Sequence, residues 1–96
     1  MSLYDLVKKR KDDILKLANK HGAYNVRVFG SVVRDEAIEG SDIDFLVDFR
    51  PEAGLLEWSA LWIDLEDLLG HKVDVATEKV LKDRIKDRII NEAKLL

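Results

Sequence analysis

Between Val26 and Phe49 the chain reads VRVFGSVVRDEAIEGSDIDFLVDF, and this stretch restricts the fold more than any other. Val26 to Phe29 is a short apolar strand that runs into Gly30-Ser31. Ser31 to about Asp35 follows as a single helical turn, and a polar loop ends at Gly40. From Ile43 to Phe49 the side chains alternate. Ile43, Phe45, Val47 and Phe49 share one face, while Asp42, Asp44, Leu46 and Asp48 share the other. Pro51 and Gly54 then end the strand.

The flanks read as helix around this core. Ser2 caps a helix in which Leu3, Leu6, Val7, Ile14, Leu17 and Ala18 fall on one face, and Gly22 stops it. Arg10 lies beside that face as a snorkelling stem, and His21 is a helix-end residue. Leu55 to Leu69 is a second helix, with a broad stripe of Leu55, Trp58, Leu61, Trp62, Leu65, Leu68 and Leu69. Leu56 and Ile63 form a small apolar spot outside that stripe. Gly70 terminates the helix, and Lys72 to Ala76 is a third strand with Val73 and Val75 inward and Asp74 on the opposite face. Thr77 is expected to cap a last helix carrying a ridge of Leu81, Ile85, Ile89, Ala93 and Leu96.

A chain of 96 residues suits a single domain, 1–96, around one hydrophobic core. No apolar run reaches membrane-spanning length, and MSLYDLVKKRKDD lacks the pattern of a secretory signal. With zero cysteines there are no disulfides or thiolate metal sites, which fits a cytoplasmic location. A net charge of −3 argues against a general binder of nucleic-acid backbone. The segment from Asp35 to Asp67 is acidic and better suited to a divalent cation.

Asp42 and Asp44, two apart at the start of a strand, project their carboxylates to the same side. Like charges so close repel unless a cation lies between them, and hard oxygen ligands suit Mg²⁺. Asp74 has the same outward orientation. If its strand neighbours that of Asp44, the three acids approach one another, and two bridged cations become possible. Gly30 lets the backbone approach a ligand closely, and the helical start after it offers free N–H groups to an anion. The Ser31 hydroxyl and the Arg34 guanidinium add a hydrogen bond and a charge. Asp48 lies on the same face but about 13 Å along the strand from Asp44, in a solvated position.

Gly30-Ser31, ten residues, then Asp42-x-Asp44 resembles the G-S-x10-D-x-D motif of the DNA polymerase β-like nucleotidyltransferases, and FGSVVRDEAIEGSDIDFLVDF resembles their minimal members, MNT. The resemblance spans essentially the whole chain, with Asp74 of HKVDVAT matching the third carboxylate. It implies an α/β (α+β) fold: a small mixed sheet of three or more strands with helices on one side. It also implies Mg²⁺-dependent transfer of a nucleotide from ATP to an acceptor hydroxyl. Asp42, Asp44 and Asp74 would be the catalytic and metal residues, Gly30 and Ser31 would cradle the β and γ phosphates, and Arg34 would assist.

Minimal members pair with helical HEPN-domain toxins. The resemblance therefore implies an antitoxin that adds AMP to a tyrosine of its toxin, in a hetero-oligomer. Two alternatives stand beside this: a non-catalytic antitoxin that neutralises by binding alone, and an enzyme acting on a small molecule such as an aminoglycoside. Larger relatives carry extra acceptor-binding domains, so here either the acceptor is small or another polypeptide is expected to present it.

Overall fold

The computed structural model describes residues 2–38 and 40–96; Met1 and Glu39, the latter in the polar loop, lie outside them. The chain opens with α1, Leu3–Lys9. The Ser2 hydroxyl accepts from the Asp5 N–H at 3.0 Å, and the Asp5 carboxylate accepts from the Ser2 N–H at 3.3 Å. This reciprocal pairing satisfies two backbone donors that an open helix end leaves unpaired. The expected single helix to Gly22 is instead two, because Arg10 leaves helical geometry (φ −99°, ψ 17°) and α2, Lys11–Lys20, starts beyond it. The bend carries Val7 of α1 and Ile14 and Ala18 of α2 into one core.

The first strand, β1, Ala23–Phe29, begins three residues before the apolar run at Val26. Asn25 makes this possible. It adopts φ +50°, and the pairing register shifts between Tyr24 and Arg27. Asparagine tolerates this left-handed geometry better than most residues, and its amide donates to Asp48 Oδ2 at 2.9 Å. β2, Ile43–Phe49, pairs antiparallel with β1. α3, Leu55–Leu69, then leads to β3, Val73–Ala76, which lies parallel to β2. Parallel neighbours need such a crossover, and a helix supplies it.

After β3 the chain departs from expectation. Thr77 does not cap the last helix; it precedes a short 3₁₀ turn, Glu78–Val80, and α4 spans Asp83–Glu92 behind Lys82. The helix also ends early, at Ala93, whose backbone is extended (φ −62°, ψ 138°). A short fourth strand, β4, Lys94–Leu95, follows and pairs antiparallel with β1. The sheet order is β3-β2-β1-β4.

Strand alternation sends the two faces to different helices. Val26, Val28, Ile43, Phe45, Val47, Val73 and Val75 meet α1, α2 and α3 in the main core. The opposite face carries Phe29, Leu46 and Ala76, which pack under Ile89 of α4 with Leu81, Ile85 and Ala93 beside it. Leu96, expected on that ridge, packs against the main core instead, because the chain has turned into β4. Covering helices thus lie mainly on one face, with α4 alone over part of the other. Trp58 Nε1 donates to the Val75 carbonyl at 2.8 Å and the Val73 N–H to Glu66 at 3.0 Å, fastening α3 to β3. His21 Nε2 and Asp64 Oδ2, 2.6 Å apart, join the end of α2 to α3.

Candidate active site

The floor of the site is a row across the sheet. Phe29 of β1 pairs with Asp44 of β2, which pairs with Asp74 of β3. Because β2 and β3 are parallel and in register at that row, both carboxylates emerge on the same face. Each is partly buried, whereas Asp42, just before β2, is exposed. Burial first, and then the negative charges of Asp74 and Asp42, push the Asp44 carboxyl up to about 6. Such a carboxyl is costly to ionise until a positive charge arrives.

The wall is the turn after β1. Gly30 has φ +80°, a conformation that disfavours any side chain, and a Cβ there would run into Asp44 Oδ2. Two separate constraints therefore require glycine: the left-handed backbone and the adjacent carboxylate. The 3₁₀ turn Gly30–Val32 follows at once, held by Val33 and Arg34 N–H bonds to the Gly30 carbonyl at 3.2 and 3.3 Å. Ser31 is half-buried at the head of this turn.

Arg34 is engaged with acids: its Nε donates to Glu36 at 3.0 Å, and its Nη1 to both oxygens of Glu92 at 2.8 and 3.0 Å. The Gly30 N–H also donates to Glu92, at 2.9 Å. Glu92 is thus part of the site and lay outside the sequence reading. Nothing local marks it, since it is the last residue of α4 and meets Gly30 across 62 positions. Burial raises its carboxyl, but the bonds from Arg34 and the Gly30 N–H outweigh this and hold it below the usual range.

Asp48, four residues further along β2 from Asp44, is not the solvated residue expected but half-buried. It pairs with Arg27, a buried arginine that also reaches Glu78 at 3.2 Å and the Asn25 carbonyl at 3.1 Å. That cluster braces β1 against the turn before α4. The six residues singled out for chemistry, Gly30, Ser31, Arg34, Asp42, Asp44 and Asp74, lie at one end of the sheet, on the turn and strands bordering the Asp44–Asp74 row. Among the described residues, no three carboxylates or imidazoles close into a cage that could hold a cation by itself. The donor set is nonetheless all hard oxygen, and Asp44 and Asp74 are each only partly buried. That suits Mg²⁺, which retains waters and phosphate oxygens in its shell rather than an all-protein cage.

The nucleotidyltransferase domain family matches residues 7–96. A candidate protein adenylyltransferase of Methanocaldococcus jannaschii is 45% identical over 85 residues, 88% of this chain and 89% of that protein. The protein adenylyltransferase MntA of Thermococcus cleftensis is 42% identical over 77 residues, covering 80% of this chain and 78% of its own. A solved candidate minimal nucleotidyltransferase superimposes with a TM-score of 0.88 at 43% identity, over 100% of this chain and 97% of that one. At lower identity the fold recurs in a toxin–antitoxin complex with AMP-PNP (20% identity, TM-score 0.73, 88% of this chain and 70% of that one). It recurs also in a complex of a tri-AMPylated HEPN toxin of Shewanella oneidensis with its MNT antitoxin (18%, TM-score 0.67, 92% and 69%). With its motif residues gathered at one sheet end and the family matching residues 7–96, this chain is a member of the nucleotidyltransferase domain family.

Proposed function

We propose that residues 1–96 form one catalytic unit that transfers AMP from ATP to a hydroxyl of a partner protein. The acceptor we favour is a tyrosine of a HEPN-type toxin, with this chain as its cytoplasmic antitoxin. The observation that carries the reading is the in-register Asp44–Asp74 pair beside the glycine turn. Asp42, Asp44 and Asp74 would hold Mg²⁺, which when bound neutralises triphosphate charge and activates the acceptor. The chain's own contribution is positioning. The Gly30 N–H, the Ser31 hydroxyl and Arg34 would orient the β and γ phosphates, leaving the α-phosphorus above the Asp44–Asp74 row. The acceptor oxygen would form a bond to that phosphorus as its bond to the bridging oxygen breaks. Pyrophosphate leaves, and the hydroxyl proton passes to Asp74. Such catalysis draws on orientation and charge complementarity rather than covalent participation by the protein. The adenylyltransferase and antitoxin names of the relatives support this choice of acceptor class.

The test is the intact mass of a candidate HEPN-type toxin partner, sought beside the gene for this chain, after incubation with this protein, ATP and Mg²⁺. A gain of one AMP per modified hydroxyl is expected, and none with Asp42→Asn or Asp44→Asn. An unmodified toxin that is nonetheless neutralised, equally by wild type and both variants, would replace transfer with binding alone.

A further inference from the structure

Glu92 occupies the groups to which the preceding reading assigns the triphosphate. Its Oε2 takes the Gly30 N–H at 2.9 Å, and both its oxygens lie within 3.0 Å of Arg34 Nη1. Two acceptor oxygens on one guanidinium, with a backbone N–H beside them, form the arrangement that a phosphate also satisfies. One N–H has a single hydrogen to give, so a phosphate oxygen cannot take the Gly30 donor while Glu92 keeps it. The side chain of Glu92 is only 18% exposed and lies against the turn, so it is not a passing surface contact.

The residues that follow give it somewhere to go. α4 ends at Glu92, and β4 holds β1 through only Arg27–Leu95 and Val28–Lys94, with one further bond from the Leu96 N–H to the Val26 carbonyl at 3.0 Å. A pairing this short opens at low cost: Lys94 and Leu95 are exposed, and Leu96 is the one residue of the segment packed against the core. We propose that Glu92 is an internal anion that closes the phosphate cradle in the nucleotide-free protein and is displaced when a nucleoside triphosphate binds. This inference rests on the proposed nucleotide site. It adds that phosphate competes with a residue of the chain's own last helix, and that occupancy of the cradle is coupled to the C-terminal strand.

The test is calorimetric binding of AMP-PNP with Mg²⁺, and of tripolyphosphate alone, to wild type, Glu92→Gln and Glu92→Ala. Adenosine serves as a ligand without phosphates. The exchanged interaction is a charge-assisted one, so both variants are expected to bind each phosphate ligand about 3- to 30-fold more tightly, with adenosine unchanged. Equal or weaker phosphate binding by folded variants would overturn the gate while leaving the nucleotide site standing. Phosphate binding by none of the three proteins would overturn both. A readout on wild type alone guards against misfolding of the variants. On adding tripolyphosphate, amide exchange at Lys94 to Leu96 should accelerate as Glu92 leaves, and unchanged exchange at saturation would count against displacement.

Discussion

At Gly30 a single missing Cβ serves backbone and site at once. Alanine there would have to adopt φ +80° and occupy space held by the Asp44 carboxylate. The backbone penalty alone is about 1–2 kcal/mol. Gly30→Ala is therefore expected to lower the melting temperature and also to abolish nucleotide binding, measured by differential scanning fluorimetry and calorimetry. Retained binding at wild-type affinity would show that the turn is no cradle. Asp44 yields a second prediction. Its carboxyl titrates near 6, above its value in an unfolded chain, so its ionisation above pH 6 costs folding stability. That stability returns as pH falls through 6 toward 4. Asp44→Asn should thus melt higher than wild type at pH 7.5, and the gap should close by about pH 4. A gap independent of pH would assign the effect to something other than the charge. Both residues were legible in the sequence, because a glycine after a strand and an acid on a strand face are local patterns. Glu92 was not, because its partners are set by where α4 ends in space.

Among the elements, α4 is where expectation and structure part most. The apolar spacing over Leu81, Ile85, Ile89 and Ala93 is readable and does mark the side that packs on the sheet, with Ile89 buried and the others partly so. The limits of α4 are not readable. The 3₁₀ turn at Glu78–Val80 delays its start, and extended geometry at Ala93 ends it so that β4 can join the sheet. A two-residue strand has no periodicity to detect, and its pairing with β1 exists only once both are placed. The break at Arg10 is similar: it falls inside the charged run Lys8 to Asp13, which holds no glycine or proline to signal a stop, yet the two helices part there. α4 buries a single residue, Ile89, against Phe29, Leu46 and Ala76. Ile89→Ala is expected to cost about 2–4 kcal/mol in a urea titration. It should also loosen α4, so that amide exchange rises from Asp83 to Leu96 more than in α3. A uniform rise across the protein would mean that α4 is not a separable unit.

For the molecule as a whole, the proposed chemistry predicts linkage between ligand and stability. Mg²⁺ with AMP-PNP at 100 times its dissociation constant should stabilise the fold by about 2.7 kcal/mol, and chelation should remove that gain. In the Asp42→Asn/Asp44→Asn double variant the gain should vanish although the fold persists, as judged by circular dichroism. Equal stabilisation of both proteins would place the nucleotide elsewhere. The sequence alone determined the main strands, the helix stripe from Trp58 to Leu69 (Leu55, expected in it, is exposed), the glycine turn and the three outward acids, since each follows from spacing along one element. Only the tertiary structure decided that β2 and β3 are parallel neighbours in register at Asp44 and Asp74, that α4 covers part of the site face, and that Glu92 closes on Gly30 and Arg34. These are contacts between residues far apart in the chain. They depend on the packing of whole elements, which local periodicity does not encode.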